Sequence, residues 1–241
     1  MPHEERCIMS ITHLDYKPVK LSMECTNQVE ENYRVVACAK EPWTMAFIDS
    51  IPAEATFWDL GANVGPYTLV AASRGLRVVA IEPGFNNYAT LCRNLAMNNL
   101  LDRVITLCLA VGERTGFDWF HYQDTRSGAA DHILGSVRKQ FFHRQLVAVW
   151  ALDDLAPRLP LAEGPYYLKI DVDAGELAVL KGAPAFLRKD DLRGIICEMH
   201  ETAEQDIISL LRNAGWQLAE RFDERAGMSM GDIAYGRFER R

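Results

Sequence analysis

The chain has 241 residues, 49% hydrophobic and 24% charged, an ordinary balance for one globular domain carrying an extension. A net charge of −7 without a strong Lys/Arg run disfavours a nucleic-acid partner, and no apolar run approaches the roughly 20 residues that a membrane helix needs. Met1 to His13 has no apolar leader core and the six cysteines form no CxxC pair, so we expect a cytoplasmic protein with reduced thiols, not a disulfide or zinc–thiolate scaffold.

Residues 1–53 are the least regular part and are predicted to form an N-terminal extension packed on the core. Residues 54–241 are predicted to form the main domain. There, strand signals alternate with helix signals. Phe57 to Leu60 reads as a short buried strand. Pro66 to Arg74 reads as a helix, with proline suited to its first turn and Gly75 to its stop. Arg77 to Glu82 is the next strand. Asn86 to Asn99 is a helix, since Tyr88, Leu91, Cys92 and Leu95 recur at helical spacing. Val104 to Leu109 is a third strand, and both Cys108 and Cys197 fall inside apolar strand-like runs. From Gly112 to about Leu146 the pattern weakens. This stretch is too aromatic for simple disorder: Trp119, Phe120 and Tyr122 suit either a stacking surface or one buried strand face. Alternation resumes with strands at Tyr166 to Asp171 and Gly194 to Met199 and a helix at Glu176 to Lys181. Thr202 and Gln205 have capping-box spacing ahead of another helix. Trp216 to Glu220 and Ile233 to Phe238 suit a closing antiparallel pair. The alternation predicts an α/β fold, a mostly parallel sheet with helices on both faces.

Ligands of such sheets bind at the carboxyl ends of the strands. The first such turn is Asp59-Leu60-Gly61-Ala62-Asn63-Val64-Gly65, and Glu82 closes the next strand about 20 residues later, where a carboxylate accepts ribose hydroxyls. A dinucleotide turn would have glycine at 63 and 66. This chain has Asn63 and Pro66, a side chain and a missing N–H where a pyrophosphate needs bare amides. S-adenosylmethionine has no phosphate, and its zwitterion suits Asp59, Gly61, Asn63, Gly65 and Glu82 better.

These residues resemble the FkbM family of methyltransferases. The likeness runs from Phe57 to Tyr67, through Ala80-Ile81-Glu82-Pro83, Asn87-Tyr88 and Asn94-Leu95, to Ala110-Val111-Gly112. It continues through Leu152-Asp153-Asp154-Leu155, Leu168 to Asp173, Glu176 to Gly182 and Glu198. The resemblance implies a Rossmann-like class I methyltransferase with a seven-stranded sheet. It also implies O-methylation of a small-molecule or sugar hydroxyl, and a place for Ala110 in the cofactor turn after the third strand. Ala174-Gly175 departs from the family, which commonly has glycine first and alanine second.

Methyl transfer to a hydroxyl needs alignment and a proton acceptor. Asp171, Glu198 and His200, at the ends of two strands, are the candidate catalytic residues, with Asp171 beside the transfer centre and Glu198 or His200 as base or orienter. Together with Asp173 they leave room for a hard cation such as Mg²⁺. The alternative for Asp171 is the cofactor's amino group or a helix cap; for Glu198, pairing with Lys169. His121, His132 and His143 read as surface or packing residues, His132 beside Asp131 being the best exception. The rival functions are an RNA or protein methyltransferase, a nicotinamide-dependent oxidoreductase and a non-catalytic module of the same fold. Asp171-Val172-Asp173-Ala174 lacks the Asn/Asp-Pro-Pro-aromatic loop that suits an amine acceptor. Asn63 and Pro66 weaken the nicotinamide reading.

Overall fold

The structure, a computed structural model, describes residues 9–136, 143–161, 164–223 and 233–240. Cys7, the first residues of the extension and Arg241 lie outside the described residues. In chain order, β1 (Ser10–His13) and β2 (Ser22–Cys25) form a hairpin, followed by a π-helical turn at Glu30–Arg34. The short helices α1 (Ala37–Lys40) and α2 (Pro42–Ser50) come next. Then follow β3 (Thr56–Leu60), α3 (Pro66–Ser73), β4 (Arg77–Ile81), α4 (Phe85–Met97), β5 (Val104–Leu107), β6 (Ala110–Val111), β7 (Gly116–Tyr122), β8 (Ile133–Leu134) and β9 (His143–Trp150). The chain continues through α5 (Leu152–Leu155), β10 (Tyr166–Ile170), α6 (Glu176–Lys181), β11 (Leu192–His200), α7 (Glu201–Asn213), β12 (Trp216–Asp223) and β13 (Ile233–Arg240).

The main sheet has seven strands in the order β12-β13-β11-β10-β3-β4-β5. It is mixed: β11, β10, β3, β4 and β5 run parallel, while β13 is antiparallel to both its neighbours. The reversal comes from the β12–β13 pair, where the chain doubles back and needs no helical crossover.

Strand side chains alternate between two buried faces. Phe57, Val78, Ala80 and Ile196 pack with Ile48 of α2, Leu69 and Val70 of α3, and Leu91 and Leu95 of α4. Trp58, Leu60, Val79, Ile81, Leu168, Ile170 and Cys197 pack on the other face with Leu152 of α5, Val179 and Leu180 of α6, and Ile207 and Leu211 of α7. Helices therefore cover both faces, and strands buried on both sides read as continuous apolar runs. The period of two also places Asp59, beside Phe57, and Lys169, between Leu168 and Ile170, on the α2–α3 face. Among the described residues, no helix is long and apolar enough to cross a membrane.

Three details differ from the sequence reading. Helix α7 begins at Glu201 directly after β11, with His200 as its N-cap and no side-chain cap hydrogen bond, so Thr202 and Gln205 are not a capping box. The pairing of His200 with Ile233 carries the strand up to the helix and leaves no loop for Thr202 to cap. Cys108 is exposed, one residue past the end of β5, whereas Cys197 is buried. The weakly patterned middle segment builds a second, four-stranded sheet, β6-β9-β7-β8, in which β7 and β9 pair along their length from Gly116↔Val149 to Tyr122↔His143. Phe120 and Tyr122 pack against Val147 and Val149, while Trp119 is exposed and lies under the Arg144 guanidinium. His132 is buried and His143 is exposed.

The Ala174-Gly175 departure has a structural consequence. Ala174 sits at φ +68°, in the left-handed region, next to Asp173 at φ +56°, while Gly175 at φ −95° needs no glycine on conformational grounds. A left-handed alanine costs about 1–2 kcal/mol, partly offset in a glycine variant by glycine's greater freedom when unfolded. Ala174→Gly is expected to stabilise the protein by about 0.5–1 kcal/mol, read from urea denaturation; a destabilised variant would show that this loop is not strained.

Candidate functional site

A cavity of about 270 Å³ opens at the carboxyl ends of β3, β4 and β10. The turn after β3 forms its floor. Gly61 (φ +83°) is required there twice over, since a Cβ would also fall 1.7 Å from the Asp171 carbonyl oxygen. Gly65 (φ +90°) lies against Leu91, where a Cβ would sit 2.3 Å from Cδ1. It seats helix α3 and is not among the residues lining the cavity.

At one end stands Glu82, immediately after β4 and buried. Its Oε2 accepts the Asn63 amide at 2.9 Å and its Oε1 the Gly84 amide at 2.8 Å. Burial pushes this carboxyl up to about 7, although both amides pull it down. Ile81, Pro83, Ala110, Val111 and Phe120 supply apolar walls beside it. Over this end runs a strap, residues 125–132. Asn63 Nδ2 and Asn87 Nδ2 both donate to the Ala129 carbonyl, at 2.9 and 3.1 Å. Arg34 Nε donates to the Gly128 carbonyl at 2.7 Å, and Asp173 Oδ2 accepts the His132 amide at 3.2 Å. The Asn63 side chain thus holds the strap, and its backbone amide is what reaches Glu82.

At the other end lies a buried charge cluster. The Lys169 ammonium is 3.2 Å from Asp59 Oδ1 and 3.0 Å from Asp171 Oδ2, and Thr68 Oγ1 donates to Asp59 Oδ2 at 2.7 Å. Burial alone would lower the lysine and raise the aspartate. The ion pair wins, so Lys169 is held well above its usual range and Asp171 below its own. Asp59 is fully buried behind the turn and does not line the cavity. Glu41, Tyr67, Lys169, Asp171 and Asp173 do. Asp173 is pushed up to about 6 by burial and by Asp171.

Glu198 and His200 lie outside the lining. They gather with Glu176, their ligating atoms within 4.8 Å of one another, and His200 Nε2 is 3.4 Å from Glu198 Oε2. Among the described residues, this is the set that could hold a metal ion. It includes Glu176 and leaves out Asp171 and Asp173 of the set expected from sequence. Burial raises Glu176 to about 7 and Glu198 well above its usual range; the Glu198 carboxylate beside it raises His200 to about 9. Lys169 pairs with Asp59 and Asp171, not with Glu198.

Of the residues expected from sequence, the structure brings Gly61, Asn63, Glu82, Ala110 and Asp171 to the cavity, and puts Asp59, Gly65, Glu198 and His200 behind or beside it. Sequence reasoning missed Glu41, Arg34 and Asn87. The one local signal for Glu41 is Pro42: proline at the first helical position makes Glu41 the N-cap of α2.

These titrations set the pH dependence of the fold. A carboxyl raised in the folded state contributes stability fully below its unfolded value and loses it as pH rises through its folded value. Asp173, Glu82 and Glu176 lose theirs through about 6 to 7, and His200, also raised, through about 9. Asp171, held low, acts only as pH falls below the ordinary aspartate range. The ligand-free melting temperature is expected to be highest near pH 5 and to decline toward pH 9; a rise over that range would overturn these assignments.

The family described as the methyltransferase FkbM domain matches residues 59–218. No curated protein matches the chain. Among solved structures, the M. jannaschii tRNA m1G37 methyltransferase aligns with a TM-score of 0.55 at 10% identity, over 98% of this chain and 58% of that one. An S-adenosylmethionine-dependent methyltransferase from Agrobacterium tumefaciens aligns at 0.54 and 10% identity, over 98% and 72%. At such identities these two establish the fold alone. The FkbM methyltransferase of Methylobacillus flagellatus is 20% identical with a TM-score of 0.49, over 76% of this chain; the chain spans 43% of that protein's length.

Proposed function

The chain belongs to the methyltransferase FkbM domain family, and from that premise we propose that it is an S-adenosylmethionine-dependent O-methyltransferase acting on a hydroxyl of a small molecule or sugar. The observation that carries the reading is Glu82. It is a buried carboxylate at the end of β4, bordered by apolar walls, beside a turn whose Pro66 offers no N–H to a pyrophosphate. Those features suit an adenosine without phosphates. Glu82 would hold the ribose hydroxyls, and Ile81, Pro83, Val111 and Phe120 the adenine. When bound, S-adenosylmethionine supplies an activated methyl group.

The chain's own task is then to orient the acceptor and take its proton. The Lys169–Asp171 pair fixes the field at the acceptor end, and Asp171 stays ionised there. Glu198 and His200 act from beside the cavity as orienting groups. Four carboxylates, Glu41, Glu82, Asp171 and Asp173, line the cavity against two cations, Arg34 and Lys169, which favours a neutral or cationic acceptor over a polyanion such as RNA.

Calorimetric titration with S-adenosylmethionine, S-adenosylhomocysteine and NAD, each with and without Mg²⁺, tests this. Binding of the first two without NAD supports the cofactor class, and NAD binding alone overturns it. The Mg²⁺ arm reads whether the Glu176–Glu198–His200 set takes a cation.

A further inference from the structure

Methylating a hydroxyl releases one proton, and a side chain in the cavity that accepts it speeds the transfer. Most of the titratable groups among the described lining residues are already committed. Lys169 is held as an ammonium by Asp59 and Asp171, and Asp171 is held as a weakly basic carboxylate by Lys169. Asp173 accepts the His132 amide of the strap, and Glu82 accepts two amides at the ribose end. His132 Nδ1 accepts the Gln123 amide at 3.4 Å, and burial lowers this imidazole to about 4. The Tyr67 hydroxyl donates to the Ala37 carbonyl at 3.1 Å, and burial keeps it protonated.

Glu41 is different. It comes from the segment ahead of the sheet, as the N-cap of α2, yet its carboxylate makes no capping bond to that helix. Oε2 accepts the Thr44 hydroxyl at 3.1 Å, and Oε1 forms an ion pair with the Lys40 ammonium at 3.6 Å, longer than a hydrogen bond. The side chain is buried and lines the cavity with Tyr67, Lys169 and Asp171. We propose that Glu41 is the base that accepts the proton of the acceptor hydroxyl, an assignment that rests on the hydroxyl-methylation reading above. In the step, the acceptor oxygen bonds the methyl carbon as the carbon–sulfur bond breaks. The bonding pair stays on sulfur, and the hydroxyl proton passes to the Glu41 carboxylate.

The surroundings suit that task. Burial and the Asp171 charge raise the Glu41 carboxyl above its usual range, so it is a stronger base than an exposed glutamate, while Lys40, Lys169 and Tyr67 oppose the rise. Arg34, from the π-helical turn, lines the same cavity, and Tyr235 of β13 feels the Glu41 charge. The charges that act most on Glu41 are Asp171, Lys40 and Lys169, whereas for Glu82 it is Asp173. The two carboxylates therefore serve different ends of the cavity.

The test uses the full chain with methyl-labelled S-adenosylmethionine and a pool of monosaccharides and simple alcohols as acceptors. Calorimetry of S-adenosylmethionine is run beside it. For Glu41→Gln we expect turnover to fall about 100-fold with cofactor Kd within threefold of the parent, and for Glu41→Asp an intermediate rate. At saturating S-adenosylmethionine the parent rate should rise with pH along an acid limb that Glu41→Gln lacks. A Gln variant with at least a third of the parent rate overturns the proposal. So does a tenfold weaker cofactor Kd, which would make Glu41 a cofactor ligand. Should the Gln variant not fold, the parent profile decides alone, and a flat profile overturns the assignment. If the parent labels no member of the pool, the hydroxyl reading itself falls and takes this one with it, an outcome distinct because it is seen without any substitution.

Discussion

Lys169→Met is expected to destabilise the protein by about 3–5 kcal/mol, the cost of leaving buried charges without their partner. The lysine is among the largest fully buried side chains and neutralises two carboxylates at 3.2 and 3.0 Å. Methionine keeps much of the volume, so the loss reports charge and not a cavity. For a domain of this size, that corresponds to a melting temperature lower by roughly 10 °C. The pH dependence separates this cause from poor packing. Without the ammonium, burial raises Asp171, and the variant recovers stability as pH falls and that carboxylate takes up a proton. A deficit that stays constant from pH 8 to pH 5 would show that Lys169 acts by packing.

Glu82→Ala is expected to weaken S-adenosylmethionine binding by about 100-fold or more. Two hydrogen bonds to a charged group contribute about 1.5–3 kcal/mol each, and alanine also strands the Asn63 and Gly84 amides. Asp171→Asn is the contrast: it keeps a hydrogen-bonding partner for Lys169, and turnover should suffer more than binding. The parent protein adds a signature of its own. Burial holds the Glu82 carboxyl up at about 7 in the free protein, and the proposed ribose contact needs the carboxylate, so affinity should rise as pH climbs through 7 and binding below that pH should release a proton. Calorimetry in buffers of different ionisation enthalpy reads that proton. Equal, small effects of both substitutions would sink the assignment of Glu82.

How far the sequence could be read followed from the range of the forces involved. The alternation of strands and helices, the turn from Asp59 to Gly65, Glu82 after β4 and Asp171 after β10 were all legible, because each is written in residues adjacent along the chain. Periods of 2 and 3.6, and the punctuation by Pro66 and Gly75, are local geometry. The helix start at Glu201 went the other way: a capping-box pattern was present, but sheet register overrode it.

What faces the cavity was decided only by tertiary structure. Asp59 looks like a cofactor residue beside Gly61, yet the strand pleat turns it toward Lys169 and Thr68. Asn63 looks like a cofactor contact, yet its amide group anchors a strap that lies 66 residues further along the chain. Glu198 and His200 end their strand beside the cavity, with Glu176. Glu41 enters from the irregular segment before the sheet, where no periodicity marks it. By itself the sequence determined the fold class, the family and the glycine turn after β3, since these rest on contiguous patterns. The partners of each charge, the wall that Glu41 completes and the sheet built by residues 110–150 rest on contacts between distant segments, which form only when the chain is folded.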